Sequence, residues 1–392
     1  MKYILVMITI SLLIIAGFIF IQSNISSHIN IALCKKETTK QQTCFARILE
    51  NTLAEKGLSK AFDVLALIYA TDEIFAADCH GNTHELGKTA YQLFHKNKEI
   101  DLTPKASYCG FGFYHGFMEE LLYQGGTMEE AREFCAYVDK TLSGISNAKG
   151  SCYHGIGHGV VDGTDTRAWG NPEAIITPGL TLCEQVGEDE RHKGRCASGV
   201  FNSLAILYER PDKYNLRVVA DDPYRICENQ SPDYFKRACY DEMNTLVLRF
   251  AEFDFKKAVA YILKIPETTH AVSAADSLAG YAAKFRYKKK LETAYHNAIK
   301  ACRLLPQDVF ISCIRGFGGG LVEFGEPERE YEESLAFCQT NDLNSEEQKA
   351  CLHRVLNLLA VMYPKDAVVA ICERYVALSH GELCNELKRN IP

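Results

Sequence analysis

The spacing of the sixteen cysteines constrains this chain more than any other feature of its sequence. From Cys135 onward, short gaps of 11 to 17 residues alternate with longer ones, and Cys34 and Cys44 form one more closely spaced pair. A short gap of this kind accommodates the end of one helix, a turn and the start of the next. Disulfides are therefore expected within the closely spaced pairs, which are Cys34 with Cys44, Cys135 with Cys152, Cys183 with Cys196, Cys227 with Cys239, Cys302 with Cys313, Cys338 with Cys351, and Cys372 with Cys384.

The first residues of the chain indicate whether these cysteines are oxidised. Residues 3 to 21 form an uncharged apolar run that follows Lys2. A helix of this length reaches roughly 28 Å, close to the thickness of the hydrocarbon core of a bilayer. We therefore predict an uncleaved transmembrane signal anchor over residues 1–21 and a linker over residues 22–33, with a cleaved signal peptide as the alternative. Lys2 would stay in the cytoplasm, which places residues 34–392 outside it, in the periplasm or at the cell exterior, where cysteines oxidise.

The sequence around the cysteines repeats along the chain. The second cysteine of each pair recurs every 33 to 44 residues, with one gap of 74 residues between Cys239 and Cys313. Apolar residues follow these cysteines at helical spacing, and alternating β-type segments bounded by hairpin turns do not occur. Repeats of this length fit two helices and their turns. The predicted fold is all-α: an α-solenoid of about seven to eight disulfide-stapled helical hairpins behind the transmembrane helix, with one hairpin near residues 270–285 that lacks a disulfide.

The arrangement of these staples resembles that of disulfide-stapled Sel1-like and tetratricopeptide-like helical repeat proteins. The resemblance covers residues 34–392 and lies in the cysteine pair that closes each hairpin. The gaps are longer here, and the glycine, lysine and aspartate signature of those repeats is missing. The resemblance therefore implies the solenoid fold and no particular activity. Cys79 and Cys109 are 30 residues apart, which breaks the spacing rule, and they are left to pair with each other.

Five of the twelve histidines fall in three short segments that each begin near a cysteine. Within these segments the polar residues are four apart, a spacing that places side chains on one face of a helix. The pairs are His80 with His84, His115 with Glu119, and His154 with His158, and Asp162 follows one turn later. His115, His158 and Asn202 each stand six residues after a cysteine, so they share a face of the repeat array. Because neighbouring helices pack about 8 to 10 Å apart, imidazoles from successive repeats can reach a common point.

This pattern predicts a metal site within residues 34–170, with residues 171–392 as structural repeats. The expected ligands are His80, His84, His115, His154 and His158, with Glu119 and Asp162 as further ligands or as a general base. Oxidised cysteines cannot act as thiolate ligands, and imidazole with carboxylate suits zinc, iron, copper or manganese. The competing interpretation is structural: the imidazoles would hydrogen-bond between helices or form a polar ladder on the concave face of the solenoid.

Composition and motifs limit the function further. The formal charge of -7 at pH 7 argues against nucleic-acid binding, which needs an excess of Lys and Arg. No nucleophile elbow, phosphate-binding loop, dinucleotide-binding glycine pattern or haem attachment motif occurs in the chain. Two functions remain: a membrane-anchored, metal-dependent hydrolase or oxidoreductase, and a non-catalytic scaffold that binds a protein or an envelope polymer on its concave face.

Overall fold

The computed structural model describes residues 31–36, 40–97, 99–142, 147–161, 163, 165–285 and 295–390. Over these residues the fold is all-α, as predicted, and contains no β-strand. The predicted signal anchor, residues 1–21, and residues 22–30 of the predicted linker lie outside them. Residues 31–34 form a helical turn rather than a linker. None of the described helices is both long enough and apolar enough to span a bilayer.

The first part of the chain alternates helices whose starts are fixed by polar caps. The helices are α1 (Gln41–Lys56), α2 (Leu58–Tyr69), α3 (Glu73–Ala77), α4 (Cys79–Asn97), α5 (Gly112–Tyr123), α6 (Met128–Thr141), α7 (Ala148–Gly159), α8 (Pro172–Val186), α9 (Glu190–Leu207) and α10 (Pro211–Tyr214). The Thr127 hydroxyl accepts from the Glu130 amide and the Glu130 carboxylate accepts from the Thr127 amide, so a capping box starts α6. Asn171 caps α8 and Asp189 caps α9 in the simpler one-way manner.

The second part continues the same alternation. Its helices are α11 (Asp233–Glu242), α12 (Asn244–Phe250), α13 (Phe255–Ile262), α14 (Thr268–Lys284), α15 (Tyr295–Cys302), α16 (Gln307–Glu323), α17 (Glu330–Cys338), α18 (Ser345–Met362), α19 (Lys365–Tyr375) and α20 (Ala377–Asn390). The hairpin of α13 and α14 contains no cysteine, as the long cysteine gap predicts. Burial of alanines along α14, Ala274 and Ala275 among them, lets neighbouring helices approach closely instead.

We call eight of these helices the central helices: α4, α5, α7, α9, α11, α14, α16 and α18. Each of them packs against the next one in chain order. Glycines make several of these contacts very close, because a side chain would collide with the backbone of the neighbouring helix. A Cβ atom on Gly116 would lie 1.9 Å from the carbonyl oxygen of His84, and one on Gly199 would lie 2.0 Å from that of His154. The glycines therefore set the depth at which the histidine-bearing helices pack.

Disulfides tie most of the central helices to the helices that precede them. The seven closely spaced pairs that the sequence predicts are all joined: Cys34 to Cys44, Cys135 to Cys152, Cys183 to Cys196, Cys227 to Cys239, Cys302 to Cys313, Cys338 to Cys351, and Cys372 to Cys384. The eighth disulfide joins Cys79 to Cys109, the pair that breaks the spacing rule. All sixteen cysteines lie within the described residues, and none of them is free.

These disulfides matter for both stability and location. In the chain-entropy account, a disulfide that closes a loop of about 15 residues stabilises the fold by on the order of 3 kcal/mol. Cys152 and Cys351 show how the staples are placed: each lies near the start of a central helix, α7 or α18, and is bonded to the helix before it. Eight disulfides are typical of a protein in an oxidising environment outside the cytoplasm.

The two ends of the array of central helices meet. The Tyr69 hydroxyl donates to the Phe324 carbonyl oxygen at 3.2 Å, and the Lys105 ammonium lies 3.1 Å from a Glu328 carboxylate oxygen. The Tyr108 hydroxyl donates to the same carboxylate at 3.4 Å. These contacts join residues more than 200 positions apart in the sequence. The stack of hairpins therefore curves back on itself around a central cavity, whereas the predicted solenoid was an open rod with a concave face.

Candidate metal centre

The five histidines of the sequence pattern converge at one point. His80 and His84 lie on α4, His115 on α5, and His154 and His158 on α7. The His115 ring is in the middle of the group: its centroid lies 5.1 Å from that of His80, 5.0 Å from His84, 4.6 Å from His154 and 4.7 Å from His158. The expectation that the repeat register brings these residues together agrees with this geometry.

The histidines form two overlapping groups of three that could hold a metal ion. In the first group, His80, His84 and His115, one ring nitrogen from each residue lies within 4.8 Å of the others. The same holds for His115, His154 and His158. The closest nitrogens are 3.1 Å apart for His84 Nε2 and His115 Nδ1, and 3.2 Å apart for His154 Nε2 and His158 Nε2. Two nitrogens bound to one tetrahedral zinc ion lie roughly 3.3 Å apart, so both separations suit ligands of one metal.

Hydrogen bonds on the outer side of the cluster determine which nitrogen faces inward. Ser198 donates its hydroxyl hydrogen to the Arg195 carbonyl, so its oxygen accepts the hydrogen of His154 Nδ1, which is 2.5 Å away. His80 Nδ1 donates to the Cys109 carbonyl at 2.8 Å, and His158 Nδ1 lies 3.1 Å from the Ser203 hydroxyl. With hydrogen on each Nδ1, the Nε2 atoms carry lone pairs. Metal-binding histidines are generally held by such partners at their other nitrogen.

A strained turn positions one of these partners. Cys109, Gly110 and Phe111 have φ angles of 56°, 72° and 60°, all in the left-handed region. That conformation costs about 1 kcal/mol or more for each residue that is not glycine. The turn connects the Cys79–Cys109 disulfide to the start of α5 and presents the Cys109 carbonyl to His80. The disulfide that breaks the spacing rule thus supports the histidine cluster directly.

Burial keeps the imidazoles neutral, which is the form that binds metals. Loss of solvation, reinforced by neighbouring charges, holds the pKa values of His80, His115 and His154 well below the ordinary value. Burial lowers the pKa of His158 to about 4, although Glu119 acts in the opposite direction. At neutral pH the interior of the cluster therefore holds uncharged rings.

The two carboxylates of the sequence pattern have different outcomes. Oxygens of Glu119 lie 3.7 Å from His84 Nδ1 and 3.6 Å from His158 Nδ1, the nitrogens that point away from the interior of the cluster. Burial acts to raise the pKa of Glu119, but the hydrogen bond with His84 and the charges of His158 and Lys88 outweigh it and lower that pKa. Glu119 therefore sits where it would orient ligands rather than bind the metal. Asp162 lies outside the described residues.

The histidine cluster stands between two cavities. The larger, of 1130 Å³, is lined by His80, His115 and His154, and the smaller, of 340 Å³, by His80, His84 and His158. Residues on both sides of position 170 line the larger cavity, because the central helices from α9 to α18 face it as well. Its wall is dominated by hydroxyl, carboxylate and guanidinium groups. A polar molecule of considerable size can therefore reach the histidines from the larger cavity, and a small one from the other.

Sequence patterns did not indicate a carboxylate beside the cluster. Glu242 accepts hydrogen bonds from the Tyr281 hydroxyl at 2.5 Å and the Asn202 amide at 2.8 Å, and its other oxygen lies 3.8 Å from His154 Nδ1. Loss of solvation raises the pKa of Glu242. Asn202 alone carried a signal, because it occupies the same place after its cysteine as His115 and His158. Glu242 and Tyr281 come from α11 and α14, and nothing local in the sequence connects them to the histidines.

The fold and the site define this protein as a disulfide-rich, all-α protein whose helices surround a polar cavity with buried histidines that could hold a metal ion. No family model, curated protein or solved structure matches the chain. The function of the site therefore rests on its own geometry.

Proposed function

We propose that this protein is a metal-dependent enzyme that binds a transition-metal ion at the five-histidine cluster and acts on a polar substrate in the larger cavity. One observation carries the proposal. His154 Nε2 and His158 Nε2 face each other at 3.2 Å, and the partners of both Nδ1 atoms leave a lone pair on each Nε2. Two acceptors so close together repel each other unless a cation lies between them. Because burial disfavours protonation of either ring, a metal ion is the better candidate for that cation.

The donor set narrows the choice of metal. The candidate ligands are imidazole nitrogens, and the nearby carboxylate of Glu119 contacts the outer nitrogens. Imidazole suits zinc, copper and iron, whereas manganese prefers oxygen ligands. Two overlapping groups of three leave positions for a water molecule or a substrate atom, which a catalytic site needs.

Hydrolysis fits the surroundings of the cluster better than a redox reaction. A metal-bound water is deprotonated near neutral pH, and a nearby carboxylate can accept or return the proton. Glu242 is placed for that task, because it lies at the cavity wall beside His154 and is held by Tyr281 and Asn202. An oxidoreductase remains the second candidate, and a copper- or iron-loaded protein with a redox-active spectrum would favour it.

The predicted location and overall shape belong to the same proposal. We infer an uncleaved anchor over residues 1–21 that holds the disulfide-bonded domain outside the cytoplasm, and a solenoid of hairpins curved into a ring. The apolar run at the amino terminus and the eight disulfides support this. The ring leaves an enclosed polar cavity, which favours a small or medium-sized substrate over the protein or envelope polymer that an open concave face would bind.

Metal analysis of the purified full-length chain tests the proposal. After expression with export and metal supplementation, we expect a stoichiometric amount of zinc, copper or iron in the wild type and its loss in the His154→Ala, His158→Ala double variant. His353→Ala is the matched control, because this histidine is exposed on α18 and should leave the metal content unchanged. A wild-type chain without bound metal, or equal occupancy in wild type and double variant, would falsify the metal site.

A further inference from the structure

Two arginines line the larger cavity on helices that carry none of the five histidines. Arg315 lies on α16 and Arg354 on α18, and their side chains face the cavity that His80, His115 and His154 also line. Asp276, on α14, lies between these arginines and the rest of the cavity wall and receives a hydrogen bond from an Arg354 terminal nitrogen at 3.1 Å.

The hydrogen-bonding capacity of these two arginines is largely unused. A guanidinium group carries five N–H donors in a planar fork. Within the described part of the chain, the Nε atoms of both Arg315 and Arg354 are buried without an acceptor, and Arg315 has no hydrogen bond or ion pair. One carboxylate, Asp276, cannot saturate two forks. A buried donor without an acceptor costs about 1–3 kcal/mol, so this arrangement weakens the fold unless something else accepts those hydrogens.

Space for an acceptor exists beside the guanidinium groups. Gly319 stands next to Arg354: a Cβ atom there would lie 3.3 Å from Arg354 Nε and would cover it. Ser312, one turn before Gly316 on the same helix, adds a hydroxyl to the same stretch of wall. Burial also raises the pKa of Asp276, which makes it a weaker counter-ion for the two arginines.

We propose that Arg315 and Arg354 bind an oxyanion, a carboxylate or a phosphate group, of the molecule that occupies the larger cavity. Two adjacent guanidinium forks match the geometry of such groups. The same cavity reaches the histidine cluster, so a substrate would be held by its anionic end while its reactive part lies at the metal. The assignment of an anionic substrate rests on the proposed function, whereas anion binding by the two arginines does not need the metal.

Anion titrations of the full-length chain test the proposal. The probes are inorganic phosphate and acetate, added against potassium chloride at matched ionic strength, and the readout is the rise in the midpoint of thermal unfolding with anion concentration. We expect phosphate, acetate or both to stabilise the wild type, and the apparent Kd to rise at least about tenfold in Arg315→Gln and in Arg354→Gln. Which probe binds more tightly distinguishes a phosphate from a carboxylate ligand.

Matched variants separate this proposal from its alternatives. Arg191→Gln is the control, since Arg191 lines the same cavity but already donates to the Asn147 side chain at 3.0 Å. Arg315→Gln without anion should melt no lower than the wild type, because it removes an unsatisfied donor; a lower melting point would reveal a structural role. The His154→Ala, His158→Ala variant should keep its anion affinity, so loss of the metal and loss of anion binding are distinguishable. The absence of any anion effect on the wild type, or an unchanged apparent Kd in both arginine variants, overturns the proposal.

Discussion

The central helices that carry histidines and those that carry arginines are packed in the same way but line the cavity with different chemistry. The Cβ position of Gly116 lies 1.9 Å from the His84 carbonyl oxygen, and that of Gly316 lies 1.9 Å from the Asp276 carbonyl oxygen. The backbone is thus held identically at His84 and at Asp276. One region presents neutral imidazoles, and the other presents a carboxylate with two guanidinium groups. The scaffold sets where a side chain reaches the cavity, and residue type decides whether that position suits a metal or an anion.

The largest expected effect tests the shared packing. Gly116→Val and Gly316→Val should each destabilise the fold by at least about 3 kcal/mol, because the new side chain must push two helix backbones apart. Denaturant unfolding measures this. Gly381→Ala is the control, since a Cβ atom on that residue meets nothing within 4 Å. A large loss in one region but not in the other would show that the two contacts are not equivalent.

The second prediction separates the two regions through their disulfides. Replacing Cys79 and Cys109 by serine should cost about 3 to 4 kcal/mol and also weaken metal binding at least about tenfold, because the Cys109 carbonyl holds His80. Replacing Cys372 and Cys384 by serine should cost about 3 kcal/mol and leave metal affinity unchanged. Unfolding curves and metal titrations measure the two quantities. Equal metal affinity in both variants would mean that the disulfide next to His80 is only a staple.

The third prediction concerns pH and the residues near the contact between the two ends of the array. Burial raises the pKa of Glu330 to about 7, although a hydrogen bond from Tyr363 acts against the shift. The folded state therefore binds the Glu330 proton more tightly than the unfolded state does. This stabilisation is fully present below the ordinary glutamate pKa and disappears as pH rises through about 7, on the order of 2 kcal/mol between pH 5 and pH 8. Glu330→Gln should flatten that part of the stability profile, and an unchanged slope would contradict the assignment.

The sequence predicted what depends on local spacing. The gap between Cys183 and Cys196 is the length of a helix end, a turn and a helix start, so their pairing follows from neighbours along the chain. The four-residue spacing of His154 and His158 fixes them on one face of a helix whatever the rest of the fold does. The unstapled hairpin near α14 followed from a missing repeat in the same way.

What the sequence could not predict depends on contacts between distant parts of the chain. The array closes through Tyr69 and Phe324, and no periodic signal reports a contact across 255 positions. Closure brings Arg315 and Glu242 to the same cavity as the histidines. Glu119 illustrates a second limit: its spacing placed it on the correct helix face, but only the packing of α4 against α5 determines that it meets the outer nitrogen of His84.

The smallest expected effect tests whether the outer partners matter. Ser198→Ala removes the acceptor of His154 Nδ1 and frees that ring to adopt the other tautomer, with hydrogen on Nε2. We therefore expect about tenfold weaker metal binding and little loss of stability. The matched control is Ser312→Ala, a buried serine of the arginine-bearing region that lines the same cavity and should leave metal affinity unchanged. Competition with a chromophoric chelator measures both affinities. If the two serine variants bind metal equally well, the tautomer of His154 is not fixed by Ser198, and the inward-facing lone pairs lose their physical basis.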